Sequence, residues 1–301
     1  MATRNACFLR PTLLTLSLLA LAGFLAWFVG KNVLSPQGAR FDGERAMQDV
    51  LYQTSLGPRT PGSAAHAQVV EWLQVELQAA GWQVNFQEAA ALGHPIQNII
   101  ARRSNAPPQI LLAAHYDSRM IADRDPDPAR RAAPVPGAND GASGVAVLLE
   151  LARTLPLDTV PLWLVFFDAE DNGGIPGWDW LLGSRAFVSA LTEKPQAVVI
   201  IDMIGDADLN IYLEMNSNPR LAAEVWEQAA ALGYDEVFIP TQKYRILDDH
   251  IPFIEAGIPA VDIIDFDYPY WHTTADTADK VSAQSLQIVG ETLWAWVLEQ
   301  E

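Results

Sequence analysis

Short apolar runs that each end in histidine or acidic residues are the feature that most constrains the fold of this chain. The runs occupy residues 110–114, 160–167 and 198–201. Uninterrupted apolar runs of this length are typical of strands that are buried on both faces of a largely parallel sheet. Open α/β sheets bind their ligands at the carboxyl ends of such strands. The pattern therefore predicts an α/β fold, with a mixed, largely parallel central sheet flanked by helices and a functional site at one edge.

The polar residues after these runs are of a few chemical types. The clusters are His115-Tyr-Asp117, Asn139-Asp-Gly141, Asp168-Ala-Glu-Asp171, Asp202 and, near the C-terminus, Trp271-His-Thr273. Histidine and carboxylates without a nearby cysteine are the ligands of a hydrolytic or Lewis-acid zinc site rather than of a structural one. We therefore expect a metalloenzyme.

Glu170 and Asp171 are adjacent in the sequence, so their side chains cannot both contact the same point of the site in the same way. One of them can ligate a metal while the other remains free to carry a proton. A pair of solvated acids after a strand is the plain alternative. Asp168 turns the pair into a cluster of three acids, which requires compensating positive charge when it is buried. A divalent ion would supply that charge.

Composition restricts the class of protein. The 301 residues, of which 50% are hydrophobic, suit one large domain with an appendage. The net charge of -18 argues against nucleic acid as a partner, because there is no basic surface for phosphates. Cys7 is the only cysteine, so the chain must be stable without an internal disulfide.

The N-terminal segment predicts a membrane anchor. Residues 11–30 carry no charge, follow Arg4 and Arg10, and are just long enough to cross a bilayer as one helix. A cleaved signal peptide is the alternative, but no clear cleavage site follows the segment. We expect a cytoplasmic segment at 1–10, a signal anchor at 11–30, a linker at 31–42 and an exported catalytic domain at 43–301.

Further elements can be placed from periodicity and turn residues. Helices are predicted at residues 64–80, 142–155, 181–191, 219–232 and 282–300, and extended pieces at 83–86 and 98–101. The stretch 119–137, rich in Asp, Pro and Arg, reads as a long loop. A loop of this length in a compact domain usually borders a functional site.

The motifs, taken together and in order, resemble the zinc aminopeptidase superfamily (metallopeptidase family 28), and within it the bacterial, animal-like glutaminyl-peptide cyclotransferases. The resemblance spans residues 45–301. It is carried by His115-Tyr-Asp-Ser118, Gly137-Ala-Asn-Asp-Gly-Ala-Ser-Gly144, Phe166-Phe-Asp-Ala-Glu-Asp171, Gly183-Ser-Arg185, Asp248-Asp-His250 and Trp271-His-Thr273.

The resemblance implies a role for individual residues. Asp140, Asp171 and His272 would hold one catalytic zinc ion, and Glu170 would be the acid and base. Asp202 and Asp248 would form a hydrogen-bond relay, and Trp271 and Trp178 would bind substrate. In related two-zinc aminopeptidases, the positions matching His115 and Asp202 bind a second metal, with Asp140 bridging the two ions. Asp276 or Asp279 is a candidate hydrogen-bond partner for His272. Asp171 and Asp262 depart from the animal cyclases, which carry Glu and His there, and look like the bacterial ones.

Two activities remain open at this point, both acting on the N-termini of peptides or proteins. A cyclotransferase would convert N-terminal glutamine to pyroglutamate with one zinc ion. An aminopeptidase would use Glu170 to activate a metal-bound water and would carry a second ion. Asp248, where aminopeptidases of this group commonly have Ser, and the order Glu170-Asp171 favour the cyclotransferase. A receptor-like ectodomain without activity is disfavoured, because folding alone does not require so many buried acids.

Overall fold

The computed structural model describes residues 40–300, and the fold is given for that part of the chain. Its helices alternate with strands along most of the sequence. They are α1 (Gly43–Ser55), α2 (Ala64–Ala79), α3 (Ala142–Thr154), α4 (Leu182–Ser189), α5 (Pro219–Ala231), α6 (Ile251–Glu255) and α7 (Ala283–Leu298). None of the helices within these residues combines the length and apolar character needed to cross a bilayer. The anchor predicted at residues 11–30 lies outside the described residues.

The central sheet has six strands in the order β1-β2-β4-β3-β5-β8, and a two-stranded sheet pairs β6 with β7. The strands are β1 (Gln83–Ala91), β2 (His94–Arg102), β3 (Ile110–His115), β4 (Leu162–Phe167), β5 (Ala197–Asp202), β6 (Ile211–Leu213), β7 (Phe238–Gln242) and β8 (Ala260–Ile264). Strands β4, β3, β5 and β8 are parallel, while β1 and β2 are antiparallel to their neighbours. The predicted mixed, largely parallel sheet flanked by helices is confirmed.

The parallel strands are apolar throughout because both faces of the sheet are covered. Along β3, Leu112 and Ala114 belong to the larger core cluster, which includes α3. Leu111 and Ala113 point the other way, into a cluster with Phe187 of α4. A fully buried aliphatic side chain contributes about 1.5–3 kcal/mol relative to an exposed one. Burial on both faces explains why the sequence of β3 shows a continuous apolar run and no alternation.

The helix α3 packs unusually close to the sheet. A Cβ atom at Gly144 would lie 2.5 Å from the Ile201 carbonyl oxygen and 2.9 Å from Ala114 Cβ. Glycine is therefore required where the first turn of α3 crosses the ends of β3 and β5. The N-terminus of this helix is thereby brought to the edge of the sheet at which β3, β4 and β5 end.

The sequence underestimated the extended structure. The two predicted pieces at 83–86 and 98–101 are parts of a longer hairpin, β1 and β2, which pairs from Gln83 with Arg102 to Ala91 with His94. The strand β8 and the pair β6 and β7 were not anticipated. The stretch 119–137 is a loop as predicted, with one short 3-10 turn at Pro128–Arg130.

Candidate metal centre

Four elements bring the candidate residues to one edge of the sheet. His115 is the last residue of β3 and Asp202 the last of β5. Glu170 and Asp171 follow the end of β4, and Asp140 precedes α3. Because parallel strands all end at the same edge, residues far apart in the sequence become neighbours there.

Two of these residues, together with His272, form a group that could hold a cation. One ligand atom from each of Asp140, Asp171 and His272 lies within 4.8 Å of the others. The Nε2 atom of His272 is 2.8 Å from Asp171 Oδ1 and 3.8 Å from Asp140 Oδ2. All three side chains are buried. One nitrogen and two oxygen donors would leave a fourth tetrahedral position open for a substrate atom.

Unpartnered oxygens support a cation at this group. Asp140 Oδ2 and Asp171 Oδ2 are buried and accept no hydrogen bond. A buried carboxylate oxygen without a partner is strongly disfavoured. A divalent cation between the two aspartates and His272 would satisfy both oxygens, so the residues present fit a metal ion.

A second group shares Asp140 with the first. The Nε2 atom of His115 lies 3.1 Å from Asp140 Oδ1 and 3.2 Å from Asp202 Oδ1. On the other side of the ring, Nδ1 lies 3.4 Å from Asp117 Oδ1. His115 therefore faces the residues of a two-metal site and also the carboxylate of Asp117, which could hold the ring in a one-metal site. The number of ions stays a prediction.

Glu170 belongs to neither group and is the candidate proton carrier. Burial, and then the charge of adjacent Asp171, hold the pKa of Glu170 well above its ordinary value. Burial also raises the pKa of Asp171 to about 6 and that of Asp202 to about 7, and in both cases the charge of Asp140 adds to the effect. The site thus carries more buried carboxylates than its own cations neutralise.

Asp117 and Arg119 orient the segment that carries Glu170 and Asp171. Asp117 Oδ1 accepts a hydrogen bond from the Glu170 backbone amide at 3.0 Å, and its Oδ2 accepts from Asn172 Nδ2 at 3.2 Å. Arg119 donates to the Asp171 carbonyl oxygen at 2.9 Å. The directions of the two acidic side chains are therefore set by residues that follow β3.

Asp276 supports the opposite side of the site. Its carboxylate accepts hydrogen bonds from the backbone amides of Asn139 and Asp140, at 2.8 and 3.2 Å. The prediction that Asp276 or Asp279 would be the partner of His272 was wrong. The Nδ1 atom of His272 instead faces Asp123 Oδ1 at 3.5 Å, because the loop 119–137 folds back over the site.

Backbone strain is concentrated next to these residues. Ala169, Met203 and His272 have positive φ angles of 51°, 47° and 56°. Residues other than glycine rarely adopt this conformation, and it costs of order 1–3 kcal/mol per residue. Ala169 precedes Glu170, and Met203 follows Asp202. The strained residues thus aim the neighbouring side chains into the site.

A cavity of about 240 Å³ opens onto both groups. Glu170 and Asp248 lie in its wall, and their roles as the acid and base and in the relay stay predictions. Its apolar wall includes Trp180, Trp271 and Phe266. A larger cavity of about 340 Å³ lies beside α5 and β7, and its lining contains no histidine.

The structure places Trp178 away from this cavity. Its ring stacks on His94, with the centroids 3.7 Å apart. Trp180 takes the predicted place instead, parallel to the His272 ring at 5.9 Å. The segment between β4 and α4 is irregular, so sequence spacing could not decide which tryptophan points inward. The only sequence signal for Trp180 is its position in the same aromatic stretch.

Comparison with known proteins gives the following similarities. The model of the family described as peptidase family M28 matches residues 98–297. A crystal structure of Porphyromonas gingivalis glutaminyl cyclase aligns with a TM-score of 0.82 and 36% identity, covering 87% of this chain and 100% of that one.

Curated relatives include both enzyme classes. A glutaminyl-peptide cyclotransferase of Boiga irregularis is 27% identical over 302 residues, covering 83% of this chain and 80% of the relative. The aminopeptidase YwaD of Bacillus subtilis is 31% identical over 226 residues, covering 67% of this chain. The chain spans only 44% of the length of that aminopeptidase.

Proposed function

The chain belongs to peptidase family M28, and we propose that it is a glutaminyl-peptide cyclotransferase, which converts an N-terminal glutamine to pyroglutamate and releases ammonia. The observation that carries the proposal is a protonatable carboxylate, Glu170, that stands free beside a three-residue metal group in a small cavity. The similarity to the Porphyromonas gingivalis cyclase, at 36% identity over 87% of this chain, supports this activity.

We assign Zn²⁺ to the group Asp140, Asp171 and His272. The mixed nitrogen and oxygen donors and the open fourth position are typical of catalytic zinc. When bound, the ion would polarise the side-chain amide carbonyl of the glutamine substrate. The orphaned Oδ2 atoms of Asp140 and Asp171 are the atoms that it would satisfy.

The residues of the chain itself move the proton. Ring closure forms a bond from the α-amino nitrogen to the side-chain carbonyl carbon and breaks the bond from that carbon to the amide nitrogen. Glu170 takes a proton from the attacking amine and delivers it to the departing nitrogen, so ammonia leaves and Glu170 returns to its starting state. A carboxyl group of raised pKa suits this task, because it accepts the proton readily and can hold it between the two steps.

Asp202 and Asp248 assist as neighbours of Glu170. Asp248 lines the cavity and its charge contributes to the raised pKa of Glu170. These two carboxylates would hold the relay of hydrogen bonds through which the proton on Glu170 is stabilised. Trp180 and Trp271 wall the cavity and exclude water, which is not needed as a nucleophile.

An aminopeptidase is the second candidate. The geometry that favours it is the group of His115, Asp140 and Asp202, which could bind a second ion next to the first. In that reaction Glu170 would take a proton from water instead of from an amine. The Bacillus subtilis aminopeptidase supports this candidate over 67% of this chain.

We also propose that the catalytic domain is exported and held at the membrane by residues 11–30. The uncharged segment after two arginines supports this arrangement. Protease treatment tests it, applied to intact cells for an extracellular domain and to cells with a permeabilised outer membrane for a periplasmic one: a tag at residue 301 should be removed, and the chain should stay with the membrane fraction. Release of the tagged domain into the medium would instead indicate a cleaved signal peptide.

The activity is tested on the purified chain with two substrates in parallel, a glutamine-initiated dipeptide and leucine anilide. We expect ammonia and pyroglutamyl product from the first, little cleavage of the second, and about one zinc ion per chain by elemental analysis. Release of free leucine and the aniline, together with two tightly bound ions, would overturn the cyclotransferase and favour the aminopeptidase.

A further inference from the structure

An exposed arginine stands at the mouth of the cavity. The lining contains five carboxylate residues and one arginine, Arg245. The carboxylates are buried, whereas Arg245 and its neighbour Leu247 are exposed. The guanidinium is therefore on the outer part of the wall, where a bound peptide would leave the cavity.

The position of Arg245 is fixed by a buried carboxylate. Arg245 Nη1 donates a hydrogen bond to Asn216 Oδ1, and Asn216 Nδ2 donates to the Ile246 carbonyl oxygen at 2.9 Å. Glu214 accepts from the backbone amides of both Asn216 and Ile246, at 2.8 and 2.9 Å. Because Glu214 is buried, it anchors the two segments that hold the arginine in place.

Within residues 40–300, Arg245 makes no salt bridge, and Asn216 is its one side-chain hydrogen-bond partner. Arg119, at the same site, is by contrast paired with Asp123 at 2.8 Å. The chain has 37 acidic residues against 19 basic ones, so carboxylate partners are abundant. The Arg245 guanidinium is thus held in place at the mouth of an acidic cavity without a carboxylate partner among the described residues. It is therefore suited to pair with an anionic group of a bound molecule.

A second arginine adds positive charge near the same wall. The Arg124 guanidinium lies over the ring of Trp271, 5.0 Å from its centroid, and Trp271 lines the cavity. Arg124 is exposed. The positive charge near the mouth therefore does not depend on Arg245 alone. A test must change Arg245 and measure the effect that remains with Arg124 in place.

We propose that Arg245 determines specificity by receiving a carboxylate of the substrate beyond the N-terminal glutamine. The inference rests on the proposed function, in which the glutamine occupies the buried end of the cavity beside Glu170 and the zinc group. The rest of the peptide must then pass the mouth. The favoured substrates are peptides with an acidic residue directly after the glutamine, or short peptides whose terminal carboxylate reaches the same place.

Four tripeptides test the proposal on the full chain loaded with zinc. Each begins with glutamine: one has glutamate second and an amidated end, one lysine second and an amidated end, one alanine second and an amidated end, and one alanine second and a free carboxylate. Exposed ion pairs contribute modestly, so we expect kcat/KM to be about threefold to fivefold higher with glutamate than with lysine. The difference should reside in KM and shrink at high salt.

Two substitutions and a matched control complete the design. Arg245→Gln should lower the preference for glutamate to the part that Arg124 supports, and Arg245→Glu should reverse it. Arg220→Glu changes the net charge equally but lies on α5, outside the cavity lining, and should leave the preference intact. Calorimetric binding of the pyroglutamyl products to the same variants gives a readout that does not depend on turnover.

The outcomes separate this inference from the proposed function. A higher kcat/KM than that of the amidated alanine peptide, seen only with the free-carboxylate peptide or only with the glutamate peptide, supports the proposal. It also identifies the source of the carboxylate. Equal kcat/KM for all four peptides, or an unchanged preference in Arg245→Glu, overturns it while the cyclotransferase stands. Failure to release ammonia from every peptide would instead refute the proposed function.

Discussion

Removing the metal should make the stability of the domain depend on pH. Burial raises the pKa of Asp202 to about 7 and that of Asp171 to about 6, and their ordinary values are near 4. The metal-free folded state therefore binds protons that the unfolded chain has lost. Stability is fully present below the unfolded pKa values and is lost as pH rises through the folded ones.

The size of the effect follows from the larger shift. Between pH 5.5 and the folded pKa of Asp202, the folded state holds one more proton on this residue than the unfolded chain does. Over these roughly 1.5 pH units the free energy of unfolding falls by about 2 kcal/mol, which lowers Tm by roughly 4–8 °C for a domain of this size. His115 and His272 act in the same direction, because their pKa values are also raised by the surrounding carboxylates against the effect of burial. Bound zinc would replace these protons, so the loaded protein should show a flatter profile.

Calorimetric scans at pH 5.5 and pH 8, each with chelator and with excess zinc, measure this directly. The gap in Tm between loaded and metal-free protein should be larger at pH 8. Asp202→Asn removes one of the buried carboxylates of raised pKa while keeping its shape, and should lessen the pH dependence of the chelated protein. A gap that is equal at both pH values, or metal-free protein that gains stability as pH rises, would refute the reasoning.

Three further predictions concern single residues. Glu170→Gln should lower turnover by roughly a hundredfold or more while zinc is retained, because the amide keeps the shape but cannot carry a proton; loss of zinc would mean that Glu170 is a ligand. Alanine at any one proposed ligand should remove zinc and activity together, and full metal in one of these variants would exclude that residue. Those ligands are Asp140, Asp171 and His272. Gly141→Ala should lower Tm more than the control Gly57→Ala. Both glycines have φ of +96°, but only at Gly141 would an added Cβ meet an obstacle, the Asp117 carbonyl oxygen at 2.7 Å. Equal losses of Tm would show that the contact relaxes.

The agreement between sequence and structure is best where one strong physical rule applies. The runs that became β3, β4 and β5 were identifiable because a strand covered on both faces must be apolar at every position. The family resemblance is confirmed by the match over residues 98–297. The hairpin of β1 and β2 was underestimated because β1 is an edge strand with no fully buried position, and β2 mixes buried with partly exposed positions.

Residues in irregular segments were predicted less well. Trp178 and Trp180 are two positions apart in a segment without regular structure, so no periodicity distinguishes the one that faces the cavity. Asp276 is near His272 in the sequence, yet it binds the backbone before α3 instead. Such contacts depend on the path of the whole loop, which local propensities do not determine.

The sequence by itself determined the type of sheet, the edge at which the chemistry gathers and the residues suited to bind a metal, because burial and ligand chemistry act on residue types. The tertiary structure alone decided the distances within the two groups, the choice of Trp180 over Trp178 in the cavity wall, and the place of Arg245 at the mouth without a salt bridge to any described residue. These relations join residues more than a hundred positions apart in some cases, such as Asp171 and His272. They arise when parallel strands end at one edge and the loops beyond them pack together, which no local pattern in the sequence records.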